Sequence, residues 1–205
     1  MKKAVPLALL AVMTLAAAAA LAVAERQPGA ATQPEPAVRR GAAARPAEAG
    51  PVTVTAGNAR VYFSPRGGCT EAIVAELEQA RESVLIQAYS FTSEPIASAA
   101  VAAHRRGVRV RAILDKSQRS EKYSELDFLT RAGVPTLVDA RHAIAHNKVM
   151  VIDGRTAITG SFNFTKAAEE KNAENLLIVR DRELARRYAE NWEEHAAHSE
   201  EHVGK

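Results

Sequence analysis

One short stretch of the chain concentrates residue types that can act together on a phosphate group. His146 and Lys148 lie two positions apart in a segment that predicts a strand, so both side chains point to the same face. Asp153 and Gly154 form a typical two-residue hairpin turn. With these two residues as the loop, Ser161 lies directly opposite His146. The pattern therefore predicts an imidazole, an ammonium group and a hydroxyl side by side.

Such a pocket suits attack by a histidine on a phosphodiester. Lys148 would neutralise charge on the equatorial phosphate oxygens, while Ser161 and Asn163 would donate hydrogen bonds to them. Asn163 stands where the strand gives way to a predicted helix, whose free backbone N–H groups favour an anion. Glu174, beyond that helix, would orient the imidazole of His146. A covalent phosphohistidine would divide one difficult displacement into two easier ones.

The segment contains no glycine-rich phosphate loop and no set of carboxylates suited to Mg²⁺. This chemistry suits attack on a phosphoryl group by the histidine itself. The spacing H-x-K-x₄-D-x₆-G-S-x-N resembles the signature of the phospholipase D superfamily at every position, and it is formed by His146, Lys148, Asp153, Gly160, Ser161 and Asn163. Residues 88–93, 160–165 and 172–175 extend the resemblance to the small secreted bacterial endonucleases of this superfamily.

The resemblance implies an α/β/α sandwich and a reaction that needs no metal. It also implies two copies of the motif, with one histidine as the nucleophile and the other as the general acid. This chain has one copy, so we expect a homodimer with both motifs at the interface. Glu174 matches the carboxylate that orients the histidine. Asp153 belongs to the motif, but its place in a turn favours a supporting role over proton transfer.

Helical and strand patterns alternate from residue 52 onward. Residues 83–89 form a nearly continuous apolar run, which is typical of a strand buried on both faces. A helix is predicted from Pro95 to about Arg106, ending before Gly107. We therefore expect an α/β fold in residues 52–200, with a mixed, largely parallel central sheet covered by helices on both faces.

The N-terminal 24 residues combine a basic start, an Ala- and Leu-rich run and the sequence Ala22-Val23-Ala24, which predicts a cleaved signal peptide. An uncleaved membrane anchor is the alternative. Residues 25–51 predict a flexible linker rich in Pro and Ala. The domain is then periplasmic or secreted. Cys69 is the single cysteine, which excludes an intramolecular disulfide, and we expect it to be a small buried residue.

The net charge is only +3, so attraction for a polyanion must come from a local patch. A basic cluster in residues 104–122 is either a solvated rim or a track for a polyanionic backbone; it comprises His104, Arg105, Arg106, Arg109, Arg111, Lys116, Arg119 and Lys122. A second group, His195, His198 and His202, shares one helical face and could hold a metal. Tyr188 and Trp192 share a helical face, which predicts that both pack in the core.

Three functions fit these patterns. The first is an endonuclease with little sequence preference, acting on DNA, RNA or both. The second is a phospholipase D or cardiolipin hydrolase that acts on phospholipid headgroups. The third is an inactive dimer that binds nucleic acid or a membrane. Small size, the basic cluster and the absence of a long apolar lid favour the nuclease, and the intact set of His146, Lys148 and Glu174 disfavours an inactive protein.

Overall fold

The computed structural model describes residues 54–204, with side-chain environments from residue 57. The signal peptide expected in residues 1–24 and the linker expected in residues 25–51 lie outside the described residues. Within the described part, no helix is long and apolar enough to cross a membrane.

Nine strands in residues 54–204 form one sheet. They are β1 Val54–Ala56, β2 Ala59–Phe63, β3 Ser83–Ala88, β4 Arg109–Asp115, β5 Thr136–Asp139, β6 Lys148–Ile152, β7 Thr156–Gly160, β8 Asn175–Arg180 and β9 Glu200–Glu201. Their order across the sheet is β1-β2-β8-β7-β6-β3-β4-β5-β9. We call the end of the sheet at which β3 finishes and β6 begins the motif edge.

Helices cover both faces of this sheet. They are α1 Cys69–Gln79, α2 Glu94–Arg105, α3 Leu126–Arg131, the short α4 Lys166–Glu170 and α5 Arg182–Ala196, with a 3-10 helix at Lys116–Arg119. Alternation along the strands sends Ile86 and Met150 into a core shared with α1, α2 and α3. Val149 and Val151 face α5 instead. The expected three-layer α/β/α sandwich is therefore confirmed.

The expectation of a largely parallel sheet was wrong, although the sheet is mixed. Only β3–β4 and β4–β5 pair in parallel, and the other six pairings are antiparallel. The two parallel pairs are joined through α2 and α3, which act as crossover helices. The links at 140–147 and 153–155 contain no helix and are too short for a crossover, so the chain reverses there.

Three packing expectations agree with the structure. Trp192 is fully buried, and its indole Nε1 donates a hydrogen bond to the carbonyl of Ile86 at 2.8 Å. Tyr188 packs, partly buried, against the small core beneath α5. Cys69 is fully buried at the first position of α1, and this burial raises the pKa of its thiol to about 12. Cys69 is thus a packing residue with little thiolate character.

Candidate active site

His146 and Lys148 meet at the motif edge, around a tyrosine that the sequence analysis gave no role. His146 lies in the loop just before β6, not on the strand as expected, and its side chain is exposed. Its ring centroid is 4.6 Å from that of Tyr89, and Lys148 Nζ lies 5.1 Å from the same tyrosine ring. Tyr89 directly follows the buried strand β3. This position at the end of a strand is the sequence feature from which its place in the site could have been predicted.

Lys148 carries a buried cation. The residue is only 7% exposed, and its Nζ donates a hydrogen bond to the carbonyl of His146 at 2.9 Å. Burial lowers the pKa of Lys148, and the negative charge of Glu174 opposes this shift in part. An ammonium group that has lost much of its water gains more from an anionic ligand than an exposed one does. Lys148 is therefore well placed to bind a phosphate.

The β6–β7 hairpin has a register one residue away from the one expected. Asp153 and Gly154 adopt positive φ values of 51° and 60°, as a tight turn requires. Arg155 is an additional residue, because the first pair of the ladder is Ile152 with Thr156. The prediction that Ser161 lies directly opposite His146 was therefore wrong.

Ser161 is positioned by β8 instead. Gly160 has φ 146°, and a Cβ at this position would lie 2.2 Å from the carbonyl oxygen of Asn175, so only glycine fits. The backbone N–H and the side-chain amide of Asn175 donate to Ser161 Oγ at 3.1 and 3.2 Å. Since Ser161 Oγ accepts both bonds, its own O–H remains free to donate to a ligand. Asn175 thus orients this hydroxyl, a role not assigned from the sequence.

Asn163 lies before α4 but not at its start. The helix begins at Lys166, and its N-cap Thr165 accepts a hydrogen bond from the backbone of Ala168. The expected alignment of Asn163 with free N–H groups of a helix start was therefore wrong. Asn163 Oδ1 is buried and has no hydrogen-bond partner within residues 57–204. The oxygen of the Asn163 amide is thus an acceptor that the described protein does not use.

Glu174 is fixed through its backbone by Ser64. The Ser64 N–H donates to the Glu174 carbonyl at 3.1 Å, and Ser64 Oγ accepts from the Glu174 N–H at 3.1 Å. The carboxylate accepts a hydrogen bond from Asn172 Nδ2 at 3.1 Å. No hydrogen bond joins Glu174 to His146 among the described residues, so this pairing stays a prediction. Glu174 directly precedes β8, whose first residues pair with the end of β7 at the motif edge.

Asp153 lies at the opposite end of β6 from the other motif residues. Its carboxylate accepts hydrogen bonds from the backbone N–H groups of Arg81, Glu82 and Ser83 at 2.7–3.1 Å. With a rise of about 3.3 Å per residue, Asp153 is roughly 17 Å along the strand from Lys148. It therefore closes the turn between α1 and β3, at a distance from the phosphate-binding groups.

Comparison with known proteins identifies the family. Residues 73–196 match the family model described as cardiolipin synthase, PLD-like domain. The chain therefore belongs to the phospholipase D-like family. A phospholipase D from Rickettsia felis is 47% identical over 130 residues, which cover 63% of this chain and 65% of that protein. A mitochondrial cardiolipin hydrolase from Xenopus tropicalis is 35% identical over 117 residues, covering 57% of this chain and 56% of that one.

The fold agrees with this phospholipase D-like assignment. Nuc from Salmonella typhimurium, a phospholipase D family member of known structure, superposes with a TM-score of 0.69 at 34% identity. The superposition covers 71% of this chain and 98% of Nuc. The match to the Rickettsia protein spans slightly less than two thirds of that protein's length. The chain thus carries a PLD-like domain with the fold of this family.

The basic cluster of this phospholipase D-like domain is not one surface. Arg105, Arg106 and Arg109 lie at the start of β4, whereas Lys116 follows its end at the motif edge. A strand of this length separates the two groups by roughly 20 Å. Several of the cations are also engaged; for example, Arg106 donates to backbone carbonyls of α1, and Arg111 pairs with a carboxylate of α5. Of the two alternatives for residues 104–122, a solvated rim or a single basic track, the single track is therefore wrong.

Proposed function

We propose that this protein is a metal-independent phosphodiesterase that works through a phosphohistidine, and that it acts as an endonuclease with little sequence preference on DNA, RNA or both. The observation that carries the proposal is the exposed imidazole of His146 beside the buried ammonium group of Lys148. A free nucleophile next to a cation with little solvent is suited to attack on an anionic phosphate.

The reaction has two steps. In the first, a ring nitrogen of His146 forms a bond to phosphorus while the bond to the leaving oxygen breaks, and an acid protonates that oxygen. In the second, water displaces His146 from phosphorus and gives up a proton to the same acid group. Lys148 neutralises the phosphate oxygens, and the O–H of Ser161 and the amide of Asn163 donate hydrogen bonds to them.

Exposed cations around the motif support a nucleic-acid substrate. Arg66, Lys116, Arg141 and Lys171 are all exposed on segments that adjoin the motif edge. None of the four forms a salt bridge with a carboxylate in residues 57–204. They are therefore available to contact successive phosphates of a polyanion, whose binding depends on such contacts.

A phospholipid substrate is the second candidate. The Rickettsia relative is named a phospholipase D, and the Xenopus relative is named a cardiolipin hydrolase. Two large apolar side chains also lie exposed at the motif edge: Ile144, two residues before His146, is 57% exposed, and Phe63 at the end of β2 is 51% exposed. Such side chains could enter the interfacial region of a membrane.

One assay on the purified protein distinguishes these substrates. We expect cleavage of plasmid DNA and of RNA in buffer without Mg²⁺, no increase when Mg²⁺ is added, and retention of activity when EDTA is added at the start of the reaction. Vesicles of phosphatidylcholine or cardiolipin, tested alongside, should release little headgroup or phosphatidate. Hydrolysis of the vesicles with intact nucleic acids would replace the first proposal by the second, and a strict requirement for Mg²⁺ would contradict the phosphohistidine mechanism.

We also propose that the active enzyme is a homodimer. The described residues carry one copy of the motif, and no ring contact in residues 57–204 places a second imidazole beside His146. A two-fold axis next to the motif edge would bring His146 of a second copy to the reacting phosphate. The exposed side chains of Ile144 and Phe63, which flank the motif, are suited to the apolar centre of such an interface.

The substitution Ile144→Glu is expected to convert the dimer to a monomer and to lower activity at least about 100-fold, because a charge buried in an interface costs several kcal/mol. Sedimentation and a nuclease assay would measure the two effects. Val203→Glu is the matched control, because Val203 is 83% exposed on the segment after β9, away from the motif edge. A fully active Ile144→Glu monomer would contradict the shared active site.

A further inference from the structure

Three histidines and one aspartate form a compact cluster at the motif edge. Asp139 is the last residue of β5 and is fully buried. His142 follows it in the loop that leads to His146. His195 lies in the last turn of α5, and His198 follows just after the helix ends. The donor atoms of these four side chains all lie within 4.8 Å of one another.

This cluster differs from the histidine set expected from helical spacing. His195 and His198 belong to it, but His202 does not, because its Nε2 lies 2.7 Å from Asp127 Oδ1. Asp139 and His142 complete the cluster instead. They come from another part of the chain, so the helical spacing alone had no means of revealing them.

The three imidazole rings converge on one carboxylate oxygen. Nδ1 of His142 and Nδ1 of His195 each lie 2.8 Å from Asp139 Oδ2, and Nε2 of His198 lies 3.4 Å from it. The ring centroids are 4.8, 5.1 and 5.4 Å apart. One carboxylate oxygen offers two lone pairs, which the two contacts of 2.8 Å can occupy, so His198 Nε2 at 3.4 Å is left without a good hydrogen bond to Oδ2. A cation among the four donors would instead be bound by all three imidazoles and the carboxylate together.

The carboxylate is also oriented for this role. Its other oxygen, Oδ1, accepts hydrogen bonds from the backbone N–H groups of Arg141 and His142 at 3.1 and 3.3 Å. These bonds turn Oδ2 toward the imidazoles, as outer hydrogen bonds do around metal ligands.

We propose that Asp139, His142, His195 and His198 bind a divalent transition-metal ion, with Zn²⁺ as the best fit. Three imidazole nitrogens and one carboxylate oxygen suit Zn²⁺, whereas Mg²⁺ and Ca²⁺ prefer sites made only of oxygen. Tetrahedral zinc with bonds of about 2.0–2.1 Å holds its ligand atoms roughly 3.3 Å apart. Small rotations of the rings would bring the four donors to that spacing.

The ion would have a structural role. Four protein ligands close a tetrahedral site and leave no position for water or substrate. The metal would tie the end of α5 to the loop at 140–147, which carries His146. Two other contacts hold the same loop: the Ala145 N–H donates to Asp115 at 2.7 Å, and Lys116 Nζ donates to the His142 carbonyl at 2.9 Å. Phosphoryl transfer itself would use no metal, and the ion would only add stability to the loop that carries His146.

Metal titration of the full-length protein, purified without a histidine tag and stripped by a chelator, tests this proposal. We expect about one Zn²⁺ or Co²⁺ ion per chain, a higher Tm with either metal, and the intense visible absorption of tetrahedral Co²⁺. His142→Ala should weaken Zn²⁺ binding at least about 100-fold. This variant should still fold, because the His142 side chain is 45% exposed in a loop. His202→Ala, which leaves all four ligands in place, should bind Zn²⁺ like the wild type.

Two results would overturn the proposal: wild-type affinity in the His142→Ala variant, or a wild-type protein that neither binds Co²⁺ in a tetrahedral site nor gains thermal stability with Zn²⁺. Neither measurement uses a substrate. A protein that binds zinc but cleaves no phosphodiester would therefore refute the proposed function and leave the metal site intact. A protein that cleaves phosphodiesters but binds no metal would refute the metal site and leave the proposed function intact.

Discussion

His146→Ala is expected to lower the rate of phosphodiester cleavage by roughly 10⁴-fold or more, since removal of a nucleophile abolishes the covalent route. In a homodimer, the single substitution removes both the attacking group and the acid. The fold should be unaffected, because the His146 side chain is exposed and forms no hydrogen bond within residues 57–204. Initial rates on plasmid DNA, with circular dichroism as the folding check, measure the effect.

A matched substitution separates this loss from a general effect of removing a histidine. His104→Ala removes a histidine side chain elsewhere in the protein, near the end of α2 and away from the motif edge. It should retain nearly full activity per folded molecule. Acid-quenched wild-type enzyme should also carry an acid-labile phosphate on a peptide that contains His146. Substantial activity in the His146→Ala variant would assign the nucleophile to another residue.

Asp153→Ala is expected to lower the free energy of unfolding by about 2 kcal/mol while leaving the activity of the folded enzyme nearly unchanged. The substitution leaves three backbone N–H groups without their acceptor, and partial hydration of this exposed turn limits the cost. For a domain of this size, the loss corresponds to roughly 4–8 °C in Tm. Thermal unfolding and kcat at a temperature well below Tm measure the two quantities separately.

The same carboxylate gives a pH dependence with a defined sign. Burial acts to raise the pKa of Asp153, but hydrogen bonds from the backbone N–H groups of Glu82, Ser83 and Arg81 outweigh this effect and lower the pKa. Because the pKa of Asp153 is lower in the folded state, ionised Asp153 stabilises the fold at pH values above its unfolded-state pKa, near 3.9. This stabilisation is lost as the pH falls through the pKa of the folded state. The Tm difference between wild type and Asp153→Asn should therefore shrink below about pH 4. A large fall in kcat for Asp153→Ala, with Tm unchanged, would instead place Asp153 in the chemistry.

Much of the site was predictable because its information is local. The spacing of His146, Lys148, Gly160, Ser161 and Asn163 identified the family, and the family model and the superposition with Nuc confirm that assignment. Apolar runs and helix-ending glycines also located most elements within a few residues, because hydrophobic periodicity and backbone preference act over one or two turns. The three-layer architecture followed from the alternation of those elements.

Contacts between distant segments could not be predicted in this way. Arg155 shifts the register of the hairpin by one residue, so that Asn175 of β8, rather than the opposing residues of β6, orients Ser161. The rise along β4 separates a basic cluster that is compact in sequence. The helices packed on the two faces of the sheet bring Asp139 to His195, which are far apart in the chain. The chemistry of each residue and its local conformation could be inferred from the sequence, because both depend on near neighbours in the chain. Strand registers and contacts between remote residues depend on how the whole core packs, so only the folded chain defines them.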